Sequence, residues 1–497
     1  MVLMYPQLDM PPLTSLSIAE ITTFIRDKSF TASELLESHL SQIARVNPAI
    51  NAFTHLDAQN ARAQARKLDE QSANSPARLF RPLHAIPITI KSCIDVAHWP
   101  CPAGSQLRKH HIPSQDAPLV ARLKSAGAIL LGNTNTPEFL MHYETANSLD
   151  AIANSNDSAA TAPHNRTSNP WNLAHSSGGS SGGEAAAISS GCSVAGIGSD
   201  GGGSIRVPAH FCGICGLKPT PGRIPITGHF PPAAGAFPWL GVVGPMARSV
   251  ADLRILFSVL VGPHESHSLS SSIAKTPPPT HNELLTTKIG ILEDPDNVLG
   301  SPTPETIAAI QNAATLLTNA GFPVEPLRLD DELPRALDLW WFFFGPVVAH
   351  LFTQSFTPPD AQLLSPQFRE YLEAAQSDPA PTLNSLLAAT TERDHLRANI
   401  LRRLEQTPIL LSHVSTTPAF EHGAGTWQGP QSYRHTMRAA QWLNLTGFPA
   451  LTIPMDFSRE KLPIGIQLIA RPNEEELLLA VAAILEEQRG PFPTPNL

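Results

Sequence analysis

Charge is scarce in this chain. Only 15% of its 497 residues are Asp, Glu, Lys or Arg, against about 25% in an average globular domain. No block of lysine and arginine interrupts a formal net charge of −9, and a surface without a basic stripe does not track a phosphate backbone, so no nucleic-acid partner is expected. Cysteines number five. The set Cys93, Cys101, Cys192, Cys212 and Cys215 is odd, which argues against a complete disulfide framework and suits a reducing compartment. Cys212 and Cys215 form a CxxC without a second CxxC or histidines at ligand spacing, so they read as packed core thiols and no metal is expected. No uninterrupted apolar run reaches the roughly twenty residues of a membrane span. The opening MVLMYPQLDMPPLTSL lacks the basic and apolar regions of a secretion signal. A cytoplasmic protein with no transmembrane segment is expected.

Apolar residues are plentiful. They make up 42% of the chain and prolines number 48, which predicts a large core under Pro-rich connections. In TASELLESHLSQIARV, Thr31 and Glu34 form a capping box ahead of Leu35, Leu36, Leu40 and Ile43 at helical spacing. HAIPITIK (84–91) reads as a buried strand ending at Lys91, DAPLVARLKSAG (116–127) as a helix, and AILL (128–131) as the next strand. KIGILED (288–294), TGFPALTIPM (446–455) and LPIGIQLIA (462–470) are strand-like, and EEELLLAVAAILEEQ (474–488) is an amphipathic helix. Residues 146–165 and 262–282 read as loops. The alternation predicts an α/β fold with a mixed, largely parallel twisted sheet covered by helices on both faces. One continuous fold over 1–497 is expected: N-terminal helices in 1–75, a core in 76–260, a helical cap in 331–405 and a return to the core in 440–488.

The stretch GGSSGGEAAAISSGCSVAGIGSDGGGSIR (178–206) contains two generic motifs. GIGSDG (196–201) matches GxGxxG, but Pro208 interrupts the helix a dinucleotide fold needs, and position 221 is proline where an acid belongs. GGSSG (178–182) matches GxSxG, yet NPWNLAHSS before it is not the β-branched strand of a nucleophile elbow. Elsewhere Ser272 and Lys275 give SxxK, with neither SDN nor KTG in the chain. What remains is two Gly/Ser loops joined by a helix and a strand. Ser181 and Glu184 read as a capping box that starts the helix and leaves Ser180 at the loop's exit. After the strand SVAGIGS, the turn Asp200-Gly201-Gly202-Gly203-Ser204 has three residues without Cβ, so backbone N–H groups can converge as in an oxyanion hole or an anion-binding nest.

Taken together, GGSSGGEAAA, SDGGGSIRVPA and CGLKPTPGRIP resemble the amidase signature family, and the likeness extends to Lys91 in PITIKSCIDV, to AGAILLGNTNTPEF and to GFPALTIPM and PIGIQLIA. Locally the chain is similar to members of the fatty acid amide hydrolase and aryl acylamidase or urethanase types. The resemblance implies Ser204 as nucleophile, Ser180 as a proton-relaying serine after a cis peptide, and Lys91 as base. It also implies Gly201, Gly202, Gly203 and Ser204 as oxyanion donors, with Ser181, Asp200 and Arg206 supporting the loops. No cofactor is implied, and the partner is a small-molecule amide or carbamate, with a monomer or homodimer as the working form.

For a lysine to act as base it must lose its proton near neutral pH. Lowering an ordinary pKa of ~10.4 to about 7–8 costs the ammonium form roughly 3–4 kcal/mol, which burial at the end of an apolar strand supplies. Trp340-Trp341-Phe342-Phe343-Phe344 reads either as core or as the wall of an apolar acyl or aryl pocket. The expected activity is hydrolysis of amide, anilide or urethane C–N bonds. Two alternatives stand beside it: a glutaminase subunit of an amidotransferase, and an α/β-hydrolase esterase using Ser180 with a histidine base.

Overall fold

The computed structural model describes residues 11–74, 80–149, 165–232, 237–267, 279–357, 359–429 and 432–497. Ser272 and Lys275 of the SxxK match lie outside these residues, as do 150–164 and 268–278 of the two expected loops. The main sheet has eleven strands: β1 Phe53–Leu56, β2 Pro87–Lys91, β3 Ile129–Thr134, β4 Ala195–Asp200, β5 Cys215–Lys218, β6 Val242–Ala247, β7 Ile289–Glu293, β8 Val324–Arg328, β9 Ile409–His413, β10 Ala450–Phe457 and β11 Pro463–Ala470. Their spatial order is β1-β3-β2-β4-β6-β5-β10-β11-β9-β7-β8.

The sheet is mixed. Parallel pairing is confined to two blocks, β3-β2-β4 and β9-β7-β8. The six other junctions are antiparallel, which corrects the expectation of a largely parallel sheet. The connections explain the difference. The five residues between β10 and β11 close only a hairpin, whereas a parallel return needs a crossover of a dozen residues or more. In the β3-β2-β4 block the strands are buried on both faces, and the sequence shows it: all five residues of PITIK in β2 are buried.

The N-terminal helices Ile18–Arg26, Ala32–Ile50 and Ala58–Asn74 form as their caps dictate, with the Thr31/Glu34 capping box in place. Only the four-residue β1, which begins two positions after left-handed Asn51, was not legible there. Helices Ala32–Ile50, Val250–Leu260, Pro304–Asn319 and Glu475–Arg489 pack with the sheet in one apolar cluster. The cap helices Glu332–Phe342, Val348–Thr353, Pro366–Gln376 and Leu383–Arg403 build a second with the other side of the fold. A π-helical turn, Phe343–Val347, joins the first two cap helices around Pro346, whose missing N–H interrupts the helical ladder. The run Glu332–Thr353 is long and apolar enough to cross a membrane by length and composition alone, and 67% of its apolar 18-residue window is buried within the protein, as in a core helix.

Candidate active site

β2 ends at Lys91, and the neighbouring β4 ends at Asp200, so the two strands deliver their last side chains to the same edge of the sheet. The loop before helix Gly182–Ser189 brings Ser180 and Ser181 to that edge, and the peptide between Gly179 and Ser180 is cis. Lys91 is completely buried. Its Nζ lies 2.7 Å from Ser180 Oγ, 2.9 Å from Ser181 Oγ and 3.0 Å from Ser199 Oγ. Burial, which penalises the ammonium form, brings its pKa down to about 8.

Ser204 follows in the turn after β4 and is half-buried, while Ser180 is fully enclosed. Both line one narrow cavity of about 20 Å³, walled by Leu140, Met141, Val242 and Phe344. No hydrogen bond joins the Ser180 and Ser204 hydroxyls directly among the described residues. The loops carrying them are tied through the backbone, since Ser181 N donates to Ser204 O at 3.1 Å. Thr136 Oγ1 donates to Ser180 O at 2.8 Å from below.

The glycine turn is held from outside. Trp340 Nε1 donates to Gly201 O at 3.0 Å, Tyr143 Oη donates to Gly202 O, and Val207 N donates to Gly203 O at 2.7 Å. In a trans peptide the N–H points opposite the carbonyl, so anchoring these oxygens orients the following N–H groups. The N–H of Gly203 is already engaged, donating to Asp200 Oδ1 at 2.7 Å. That removes Gly203 from the expected oxyanion donors and leaves Gly201, Gly202 and Ser204, whose N–H groups find no acceptor among the described residues.

Asp200 and Arg206 form a fully buried pair, with Nε and Nη2 of Arg206 3.0 Å from the two carboxylate oxygens. Burial works against ionisation of Asp200, but the Arg206 guanidinium, then the nearby Lys218 and the Gly203 N–H, outweigh it and hold the carboxyl well below the usual carboxylate range. Asn444 Nδ2 donates to Asp200 Oδ1 at 3.0 Å, and Arg206 Nη2 donates to Asn444 Oδ1 at 2.7 Å, so the C-terminal segment clamps this pair.

The Ser181/Glu184 capping box does not form. Ser181 is the N-cap residue, yet its hydroxyl makes no cap bond, because Lys91 donates to it and it donates to Ser199 O at 3.2 Å. Glu184 turns instead towards the sheet, accepting from Thr89 and Thr134. The GxGxxG match dissolves into β4, where a Cβ at Gly196 would meet the Glu184 carboxyl and one at Gly198 would meet Ser181 Oγ at 2.8 Å. The GxSxG reading fails as well: strand Asn172–Ser176 ahead of Ser180 belongs to a separate two-stranded sheet, and the Ser180 hydroxyl pairs with the Lys91 amine. All five cysteines are buried and free. The aromatic run divides its duties, Trp340, Trp341 and Phe343 being core while Phe344 reaches the cavity. Sequence reasoning did not single out Tyr143, Asn444 or Thr136, the last within AGAILLGNTNTPEF; each reaches the site from a distant part of the chain.

Comparison with known proteins agrees with this architecture. The chain matches the Amidase family over residues 34–479. It is 33% identical to a glutamyl-tRNA(Gln) amidotransferase subunit from Roseiflexus castenholzii, with 95% of each chain covered. The peptide amidase of Stenotrophomonas maltophilia superposes with a TM-score of 0.77 at 25% identity, covering 98% of this chain and 99% of that one. A bacterial aryl acylamidase of the amidase signature enzymes shares the fold with a TM-score of 0.81 at 22% identity, covering 97% and 98%. With its buried lysine, two serine loops and an eleven-stranded mixed sheet, the chain belongs to the amidase signature family.

Proposed function

We propose that the protein is a serine amidohydrolase that cleaves C–N bonds of small amides, anilides or carbamates bearing apolar or aryl groups. The observation that carries this reading is a solvent-free Lys91 amine 2.7 Å from Ser180 Oγ, beside a cavity that Ser204 shares. In its neutral form Lys91 accepts the Ser180 hydroxyl proton while Ser180 takes the proton of Ser204. The Ser204 alkoxide attacks the substrate carbonyl, and the N–H groups of Gly201, Gly202 and Ser204 stabilise the oxyanion. The proton held on Lys91 returns through Ser180 to the departing nitrogen as the C–N bond breaks. Water, activated along the same path, then releases the acid from Ser204. Asp200 and Arg206 keep the turn in shape, and Ser181 keeps the lysine aimed.

The side chains of Leu140, Met141, Val242 and Phe344 beside Ser204 favour an apolar acyl or aryl group, which has to displace some of them because the cavity of about 20 Å³ holds little more than one water. A second reading, a glutaminase subunit of an amidotransferase that works with partner chains, is favoured by the likeness to the amidotransferase subunit of Roseiflexus castenholzii. Labelling with a fluorophosphonate followed by peptide mapping tests the nucleophile, and modification at Ser180 instead of Ser204 would overturn the assignment. A hydrolysis screen of 4-nitroanilides, fatty amides, aryl carbamates and glutamine separates the two readings: turnover confined to glutamine favours the second.

A further inference from the structure

The mechanism above leaves Glu184 without a part. This residue follows Ser180 and Ser181 by one helical turn and is completely buried. Its carboxyl lies between two hydroxyls: Thr89 donates to Oε2 at 2.6 Å and Thr134 donates to Oε1 at 2.8 Å. Thr89 precedes Lys91 by two residues on β2 and so shares its face of the sheet. Thr134 pairs with Lys91 in register on β3. The two strands that deliver the lysine therefore also grip the carboxyl. Gly196, opposite Thr89 on β4, leaves the space it occupies, for a Cβ there would stand 1.8 Å from Oε2.

The groups that act on the Lys91 amine are Cys93 beyond β2, Asp200 at the end of β4, Glu184 on the helix, and His229. Burial pushes the Cys93 thiol up to about 11 and the His229 imidazole down to about 3, so both are uncharged near neutral pH. Asp200 already faces Arg206. Among the described residues, the Thr89 and Thr134 hydroxyls and then the Lys91 ammonium favour the ionised Glu184 carboxyl. Burial raises the proton affinity of the carboxyl and lowers that of the amine, so each favours its neutral form more than it would in water.

We propose that Glu184 is a positioning residue whose carboxylate supplies the counter-charge for the ammonium that Lys91 becomes on taking the Ser204 proton. This rests on the reading of Lys91 as the base. At a pH where the carboxyl is ionised, the proton moves from Ser204 to Ser180 and from Ser180 to Lys91, while Glu184 keeps its charge and is held by the two threonine hydroxyls. The same charge holds a proton on Lys91 in the resting enzyme, so it governs the pH at which the site becomes active.

The test is the rate of Ser204 modification by a fluorophosphonate, measured from pH 5 to 10 on the full chain, for the wild type, Lys91→Ala and Glu184→Gln. Removing the charge while keeping the side-chain shape should move the acid limb down by about one pH unit and slow the plateau on the order of tenfold. A carboxyl that only braces the helix would be rescued by the isosteric amide, and a limb left in place would overturn the proposal. Should Glu184→Gln not fold, Thr134→Val removes one donor from the carboxylate, keeps its proton on, and should move the limb in the same direction by less. An unmoved limb there is equally fatal. A wild type unlabelled at Ser204, or Lys91→Ala labelled at the wild-type rate, would overturn the reading of the base instead.

Discussion

Replacing Arg206 by methionine strands a buried carboxylate. The guanidinium reaches both oxygens of Asp200 at 3.0 Å, Ala440 O at 2.9 Å and Gln467 Oε1 at 3.1 Å. Methionine fills much of the same space with no donor. Asp200 would keep hydrogen bonds from N–H groups, chiefly Gly203 and Ile205, and from the amide of Asn444, with Lys218 as its remaining cationic neighbour. Breaking one side of a buried pair costs about 3–5 kcal/mol. With an unfolding entropy of about 2.1 cal/mol/K per residue, a chain of 497 residues gives roughly 1 kcal/mol/K, so Tm should fall by about 3–5 °C.

The pH dependence has a definite sign. Because the folded Asp200 pKa is depressed, the pair stabilises the protein above the unfolded value of about 3.9 and loses that effect as pH falls through the folded value. The Tm gap between wild type and Arg206→Met should thus be full at pH 7 and narrow in acid. Adding Asp200→Asn removes the stranded charge and should recover part of the loss, while fluorophosphonate labelling of Ser204 stays impaired in both variants because the turn has lost its anchor. Differential scanning calorimetry at several pH values reads the first effect. An unchanged Tm for Arg206→Met, or a double variant less stable than the single one, would refute the reasoning.

Three further outcomes are expected. Ser204→Ala and Lys91→Ala should abolish hydrolysis in a product-release assay without loss of the folded circular-dichroism spectrum, and Ser180→Ala should lower it by on the order of 10²-fold or more; a full-rate Lys91→Ala enzyme contradicts the mechanism. The rate should decline as pH drops below about 8, since burial sets the Lys91 pKa there and only the neutral amine accepts a proton, so a profile flat down to pH 6 argues for another base. Gly196→Ala places a Cβ 1.8 Å from Glu184 Oε2; overpacking of this kind costs about 1–3 kcal/mol, and an unshifted melting curve would show that the helix yields freely.

Much of this molecule was readable before its coordinates. The Thr31/Glu34 capping box, the buried strand ending at Lys91 and the C-terminal strand pair are set by patterns a few residues long, because caps, apolar runs and prolines act on the backbone within one turn or one strand. Ser181 and Glu184 show the limit. Their spacing satisfies a capping box, and local physics alone would form one. Tertiary contacts outbid it: a buried amine and two threonine hydroxyls from other strands take those side chains first.

By itself, the sequence determined the capped helices, the strands with continuous apolar runs, the two serine loops and a lysine buried by its own apolar neighbours. The tertiary structure decided which of these meet: that β2 lies beside β4, that most of the sheet runs antiparallel, and that Gly203 gives its N–H to Asp200 rather than to the cavity. It also placed Tyr143, Trp340 and Asn444 around the glycine turn from distant parts of the chain. The reason is range. Torsional preference and hydrophobic period are properties of neighbours along the chain, whereas the partner of a buried polar group is chosen by whatever the fold leaves within about 3 Å of it.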